Sequence, residues 1–229
     1  MSNPSAKSLL IIGAGPGIAR AVSTLLASKD YTTITLLARR ASQLAFERKA
    51  LISRHPHLNL QIHTFPVDIT NALALASALA AADAATGGPP SLVFFNAARV
   101  IPSKLFAHPA EEIEYDFKVT VSALYAVAGR YLPGMAERGM AGGERPGFIV
   151  TSSALPGEPV PELFALSLTK AAQKNLVRSL WLLYGGPGTG VHVGVVNVAG
   201  AVDGEGRSPA VVAERLWEWY EAGEGVVQC

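Results

Sequence analysis

Residues 8–27, SLLIIGAGPGIARAVSTLLA, are the part of this 229-residue chain that indicates its fold most clearly. Its first part, Ser8–Ile12, is a short apolar run that predicts a strand buried on both faces. The glycine-rich turn Gly13–Gly17 follows directly, and Ile18–Ala27 then has the pattern of a helix. Pro16 lies near the first turn of this helix, where a missing N–H costs little. The order of strand, turn and helix predicts the start of a β-α-β unit.

The same alternation continues along the rest of the chain. Five further apolar runs predict strands, at Thr32–Ala38, Leu58–Val67, Leu92–Phe95, Phe148–Thr151 and Val191–Val198. Helical patterns accompany them, at residues 44–52, 71–83, 111–132, 163–183 and 209–222. Residues 134–146 predict a glycine-rich loop, and residues 225–228 a small closing strand. Apolar strands in repeated β-α-β units predict one α/β domain over residues 1–229, a doubly wound parallel sheet of the Rossmann type with helices on both faces.

Charge and composition exclude several classes of function. Lys plus Arg is 19 and Asp plus Glu is 18, which gives a net charge of +1 and argues against nucleic-acid or acidic-membrane partners. The uncharged stretches fall short of the ~18 apolar residues of a membrane span, and Leu9–Ile12 is too short for a signal peptide. The single cysteine, Cys229, excludes an internal disulfide. We therefore expect a soluble cytoplasmic protein, and the spacing of the five histidines predicts no metal site.

The glycine-rich turn is the first candidate ligand site, because doubly wound sheets bind ligands beyond the carboxyl ends of their strands. Gly13, Gly15 and Gly17 permit close approach of a pyrophosphate, whose charge meets the N–H groups of the helix that begins at Ile18. The spacing is G-x-x-x-G-x-A, ending at Ala19, and not G-x-G-x-x-G. A tight turn without a ligand is the alternative interpretation. The place of the turn after the first strand favours a dinucleotide site.

Arg39 and Arg40 end the second strand and indicate which dinucleotide is bound. Sites that prefer NAD(H) usually carry an acidic residue there, whereas an arginine accommodates a 2′-phosphate. Here Ala38 is followed by two guanidinium groups, which suit a phosphate. A solvated arginine pair is the alternative. The sequence therefore favours NADP(H) over NAD(H).

With these residues, the chain resembles the short-chain dehydrogenase/reductase family over nearly its full length. Gly13, Gly17 and Ala19 are similar to that family's T-G-x-x-x-G-x-G loop, with Ile12 in place of the threonine. Asp68, after the third strand, resembles the aspartate that contacts adenine. The resemblance implies a nicotinamide cofactor and a small-molecule substrate.

Two later segments extend the resemblance. The stretch FNAA is similar to N-N-A-G and keeps the second asparagine, Asn96. The stretch AGAV, residues 199–202, is similar to P-G-x-V, which implies that Gly200 and Val202 belong to the nicotinamide site. Gly204 stands where the family has a threonine, so that hydroxyl is missing.

The catalytic positions depart from the family, which relies on Asn, Ser, Tyr and Lys. Lys170 and Ser153 are similar to the family lysine and serine, and the resemblance implies that Lys170 also binds the ribose hydroxyls. Leu166 stands four residues before Lys170, in place of the tyrosine, and 13 residues after Ser153, as in the family. Thr120 stands in place of the asparagine. As alternatives, Ser153 is a structural hydroxyl and Lys170 a solvated helix lysine.

The loss of the tyrosine leaves three possibilities open. Leucine cannot transfer a proton, and removal of a general acid typically costs ~10²–10⁴ in rate. First, the hydride acceptor is an iminium ion or conjugated C=C that needs little protonation. Second, another group supplies the proton; Glu158 and Glu162 stand nearby but have the pattern of surface acids. Third, the protein binds nucleotide without redox turnover.

The leading hypothesis is an NADP(H)-binding oxidoreductase with an altered active site. The rival is a nucleotide-binding protein of non-redox, regulatory or inactive type. The helical stretches 111–132 and 163–183 resemble the pair at the family's dimer interface. The i, i+4 and i+5 spacings spread around a helix, so one buried stripe cannot hold all of Leu176, Leu180, Trp181 and Leu183, which also predicts a homodimer or homotetramer.

Overall fold

The computed structural model describes residues 7–142, 145–186, 188–198, 200, 208–223 and 227–228. The strands are β1 (Ser8–Ile12), β2 (Thr33–Ala38), β3 (Gln61–Pro66), β4 (Leu92–Phe95), β5 (Gly147–Ser153), β6 (His192–Val198) and β7 (Val227–Gln228). The helices are α1 (Ile18–Ala27), α2 (Ala41–Arg54), α3 (Ala72–Thr86), α4 (Ala110–Phe117), α5 (Ala123–Met140), α6 (Phe164–Leu180) and α7 (Pro209–Ala222). Two π-helical turns extend helices, at Lys118–Ser122 and Trp181–Gly185.

The described strands form one parallel sheet in the order β3-β2-β1-β4-β5-β6-β7. The chain builds one half outward from β1 through β2 to β3, and it builds the other half outward from β4. Strand order therefore reverses between β1 and β4, where such sheets open a crevice at their carboxyl ends. The predicted doubly wound α/β fold is confirmed.

The two faces of the sheet carry separate apolar cores, because successive side chains of a strand point to opposite faces. Leu10 and Ile12 of β1 belong to the core that includes residues of α3, α5 and α6. Leu9 and Ile11 belong to the core that includes residues of α1, α2 and α7. All four side chains are buried, which explains why β1 is apolar throughout and not alternating.

The helix predicted over residues 111–132 is broken and longer than expected. The π-helical turn Lys118–Ser122 separates α4 from α5, and α5 continues to Met140 through the segment predicted as a glycine-rich loop. Met135 and Ala136 are buried in the sheet core, and this burial outweighs the low helix propensity of Pro133 and the glycines nearby. The loop prediction was wrong for residues 134–140.

Candidate functional site

A cavity of about 260 Å³ opens at the carboxyl ends of β1, β2, β3 and β4. It brings together five of the predicted cofactor residues, Gly13, Arg39, Arg40, Asp68 and Asn96. The other residues that line it are Ala14, Leu37, Ala38, Gln43, Val67, Ile69, Ala97, Ala98, Arg99 and Val119. The walls thus come from four strand ends that are far apart in the sequence.

The glycine-rich turn after β1 is hydrogen-bonded to β2. The N–H groups of Gly13 and Ala14 both donate to the carbonyl of Leu37, at 2.9 and 3.0 Å. Gly13 has a φ of +87°, a conformation that side chains rarely adopt. The turn therefore requires glycine at this position.

Gly15, Gly17 and Ile18 do not line this cavity but lead into the following helix. Gly17 is the residue before α1, and none of the described side chains caps the helix there. A helix start without a capping side chain keeps its N–H groups available for an anion. The predicted role of these three residues in cofactor binding stays a prediction.

The two arginines after β2 project into the solvent-facing side of the cavity. Arg39 and Arg40 are both exposed, and Arg40 directly precedes α2. Arg39 Nη1 donates to the hydroxyl of Tyr115 on α4, at 3.4 Å. This contact links the end of β2 to α4.

Asp68 and Asn96 lie on opposite sides of the Gly13 turn. Asp68 Oδ1 accepts hydrogen bonds from the N–H and the hydroxyl of Thr70, at 3.0 and 2.8 Å, which orient its carboxylate. Asn96 Nδ2 donates to the carbonyl of Gly13 at 3.2 Å, and Asn96 Oδ1 accepts from Thr151 Oγ1 at 2.8 Å. Asn96 therefore joins the glycine-rich turn to β5.

Arg99 is a cavity residue that the sequence analysis missed. Its guanidinium bonds to the carboxylate of Asp116 and to that of Glu112, and it lies over the ring of Tyr115 at 4.9 Å. A charged residue just after a buried strand, at the carboxyl edge of the sheet, was the signal for it. The two carboxylates compensate the charge of Arg99 and fix its side chain as part of the cavity wall.

Lys170 is buried in α6, and its exposed fraction is only 6%. Its Nζ donates to the carbonyl of Thr151 at 2.8 Å and to Gln173 Oε1 at 2.9 Å. Burial lowers the pKa of Lys170 to about 7. The alternative of a solvated helix lysine is therefore wrong, because the ammonium group is enclosed and hydrogen-bonded.

Leu166 lies one helical turn before Lys170 and is also buried, with an exposed fraction of 6%. Ser153 ends β5, and its Oγ accepts from the N–H of Leu155 at 3.4 Å. Thr120 lies in the π-helical turn, and its hydroxyl is buried without a hydrogen-bond partner among the described residues. Lys170 is thus hydrogen-bonded to β5 through Thr151, and Ser153 is the last residue of the same strand.

The loop after β4 is tied to the start of α6. Ser103 donates its N–H to the carbonyl of Glu162 at 2.8 Å, and its Oγ accepts from the N–H of Ala165 at 3.1 Å. Glu158 and Glu162 are both exposed, as expected for surface acids.

Gly200 and Val202 are the remaining predicted cofactor residues. Gly200 is described as an exposed bend residue and does not line the cavity, and Val202 lies outside the described residues.

Within the described ranges, no helix is both long and apolar enough to cross a membrane. In the same ranges, no group of three or more His, Cys, Asp or Glu residues is arranged to hold a metal ion.

Comparisons with solved structures show the same fold. A short-chain dehydrogenase from Sphingobium yanoikuyae in complex with NADPH has a TM-score of 0.82 at 18% identity, over 97% of this chain and 87% of that one. An NADPH-bound short chain oxidoreductase from Pseudomonas aeruginosa PAO1, described as containing an atypical catalytic center, has a TM-score of 0.79 at 20% identity, over 97% and 94%. A bulky-bulky ketone specific alcohol dehydrogenase from Comamonas testosteroni has a TM-score of 0.82 at 18% identity, over 97% and 85%.

Sequence comparisons give two further results. None of the curated proteins compared with the chain matches it. The family model of the short chain dehydrogenases matches residues 7–209, which include every strand but the last and the whole candidate site. The chain therefore belongs to the short chain dehydrogenase family.

Proposed function

We propose that the protein is an NADP(H)-dependent oxidoreductase that transfers hydride to an activated small-molecule electrophile. The observation that carries this proposal is the cavity beside the Gly13 turn, which Arg39 and Arg40 both line. Family membership supports the reaction class, and the NADPH complexes of structural relatives support the cofactor class.

The residues of the cavity fit such a cofactor. Gly13 offers a backbone surface without a side chain, and Asp68 and Asn96 place a carboxylate and an amide after the ends of β3 and β4. The uncapped start of α1 follows the turn, with N–H groups that favour a pyrophosphate. Gly13, Asp68 and Asn96 would hold the nucleotide, and Lys170 would hold the nicotinamide ribose.

Preference for NADP(H) is proposed from the charge at the end of β2. The strand ends on Ala38, so no carboxylate there repels a 2′-phosphate. Arg39 uses one N–H group on Tyr115, and a guanidinium has five. Arg39 and Arg40 therefore retain donors for bidentate bonds to a phosphate.

The proposed substrate class follows from the chemistry around Lys170. A bound nicotinamide cofactor would supply the hydride. Leu166 supplies no proton, and Lys170 already donates to Thr151 and Gln173. An iminium carbon needs no proton on accepting hydride, and a conjugated C=C gives an enolate that water protonates. The site thus favours these acceptors over a simple ketone.

The decisive experiment measures NADPH oxidation with a panel of iminium ions, enones and ketones, beside titrations of NADPH and NADH binding. We expect turnover with an iminium ion or enone and slow or no turnover with ketones. Tight NADPH binding without turnover on any acceptor would contradict the oxidoreductase assignment and favour the non-redox alternative. Equal affinity for NADH and NADPH would contradict the cofactor preference alone.

A further inference from the structure

Gln173 is a buried amide that connects Lys170 to another element of the fold. It lies one turn after Lys170 on α6 and has an exposed fraction of 1%. Its Oε1 accepts from Lys170 Nζ at 2.9 Å, and its Nε2 donates to the backbone carbonyl of Thr120 at 3.2 Å. The side chain therefore bridges the lysine and the π-helical turn.

The orientation of this amide is fixed by its two partners. A lysine ammonium group only donates, and a backbone carbonyl only accepts. Gln173 must therefore turn its oxygen to Lys170 and its nitrogen to Thr120. A glutamate would lose the donor to Thr120, and an apolar side chain would lose both bonds. An amide is the group that satisfies both neighbours at once.

The bridge is part of a longer chain of hydrogen bonds through the site. From Lys170 it continues to the carbonyl of Thr151, whose hydroxyl donates to Asn96 Oδ1. Asn96 in turn donates to the carbonyl of Gly13 at 3.2 Å. Through this chain, the π-helical turn and the glycine-rich turn are connected across β4, β5 and α6.

We propose that Gln173 is a positioning residue for Lys170, and that it holds the ammonium group in a fixed place and supports its charged form. Two of the three ammonium N–H groups are then bound, to Thr151 and Gln173, and the third is left for a hydroxyl of a bound molecule. This inference deepens the proposed function, since it concerns the lysine of the same site. The hydrogen bonds of Gln173 to Lys170 and to Thr120, which tether the lysine, belong to the protein without cofactor.

Among the described residues, no charged side chain is paired with Lys170, whose Nζ bonds to Thr151 and Gln173. The carboxylates of Asp116 and Glu112 on α4 are bound by Arg99, and Lys118 on the π-helical turn is exposed. The further ionisable residues on α4, α6, β6 and the second π-helical turn are Glu111, Glu114, Tyr115, Lys174, Arg178, Tyr184 and His192, and β5 has none. Burial is the cause that lowers the pKa of Lys170. The neutral acceptors Gln173 and Thr151 thus stabilise the charged form of Lys170, against the effect of burial.

The test is an NMR titration of the protein labelled with [ε-¹³C]lysine, in which Lys170→Met assigns the resonance. Gln173→Glu places a carboxylate beside the ammonium group, so we expect the pKa of Lys170 to rise by about one unit or more. Gln173→Met removes the acceptor at similar volume, so the pKa should fall by about one unit. Asn175→Asp adds the same charge on the exposed side of α6 and should leave the titration unchanged.

Shifts of opposite sign in the two variants would distinguish positioning from packing. Unchanged titration of Lys170 in both variants, with lower stability alone, would overturn the proposal. If neither variant folds, the wild-type protein decides: the Gln173 side-chain amide resonances should titrate with the midpoint of Lys170. If the chemical shifts of these amide resonances do not follow the titration of Lys170, the proposal is overturned too.

The titration separates this inference from the proposed function, because it needs no cofactor. A tethered Lys170 in a protein that does not bind NADPH would contradict the proposed function and leave the role of Gln173 intact. If the wild-type protein turns over NADPH, but Lys170 titrates in the Gln173 variants as it does in the wild type, the result is the reverse. The proposed function then stands, and the role of Gln173 is overturned.

Discussion

Gly13 and Ala97 lie in such close contact that a Cβ atom on Gly13 would come within 2.6 Å of the Ala97 backbone nitrogen. The contact joins the turn after β1 to the loop after β4, at the point where strand order reverses. Since Ala97 contributes backbone atoms here, no side-chain rotation can relieve the overlap. The crevice keeps its shape because this position has no side chain.

Gly13→Ala should therefore damage both the fold and the cavity. The positive φ and the overlap with backbone together predict a loss of about 2–4 kcal/mol in the free energy of unfolding. NADPH binding should be lost in the fraction that still folds. Gly129→Ala, where the added Cβ meets open space on α5, is the matched control. Urea unfolding and a binding titration measure both effects, and a fully stable Gly13→Ala protein would contradict the contact.

The double variant Arg39→Ala with Arg40→Ala tests the phosphate preference. Loss of charge-assisted bonds to a phosphate should weaken NADPH binding by roughly 10- to 100-fold, while NADH binding stays nearly the same. Arg48→Ala, an exposed arginine farther along α2, serves as the control. Equal weakening for the two cofactors would show that the arginines do not recognise the 2′-phosphate.

The stability of the protein should depend on pH through Lys170. Burial lowers its pKa from 10.5 to about 7 in the fold. Below pH 7 the lysine is charged in both the folded and the unfolded state, so the folded state bears the full cost of burying the charge. Between pH 7 and 10.5 the unfolded chain holds a proton that the fold has released, so the free energy of unfolding rises with pH.

Urea unfolding at pH 7, 8 and 9 checks this sign. The wild type should gain up to about 1.4 kcal/mol per pH unit relative to Lys170→Met, which has no group to titrate there. Parallel stability curves for the two proteins would show that Lys170 is not buried with a lowered pKa.

Leu166→Tyr should introduce ketone reduction. The new phenol would lie one turn before Lys170, where a proton donor can serve the reacting oxygen. We expect ketone turnover ~10²–10⁴ times faster than in Leu166→Phe, which has the same ring without the hydroxyl. If the tyrosine and phenylalanine variants reduce ketones equally, Leu166 does not face the reacting group.

A homodimer or homotetramer is expected in solution, with the end of α6 and the following π-helical turn in the interface. Leu176, Leu180 and Trp181 pack against the core of their own chain, whereas Leu183 has an exposed fraction of 65%. Leu183→Glu should lower the sedimentation coefficient toward that of a monomer. Leu73→Glu, on the exposed face of α3, should not change it. A monomeric wild type would refute this expectation.

Much of the fold follows from local patterns in the sequence. Apolar runs and the Gly13 turn predict the sheet, because parallel strands buried on both faces need such runs. The continuation of α5 to Met140 could not be predicted, since Pro133 and several glycines disfavour a helix there. Only the burial of Met135 and Ala136 against a distant strand reverses that preference. The π-helical turn at Thr120 is likewise bonded to a remote residue, since the Thr120 carbonyl accepts from Gln173.

The candidate site was predictable where one strand end carries a recognisable residue, as with Arg39, Asp68 and Asn96. Gln173 and Arg99 were missed, because their importance lies in partners that are remote in the sequence. Gln173 matters through Thr120, and Arg99 through Asp116. Pairwise contacts of this kind leave no periodic pattern in a single chain.

The two hydrogen bonds of Ser103 have a mechanical consequence for the loop after β4. They fasten the loop after β4 to the first turn of α6, the helix that carries Leu166 and Lys170. Breaking both costs roughly 1–3 kcal/mol, so the unfastened state is a minor population. The loop after β4 is therefore held in place by the same helix that positions the buried lysine.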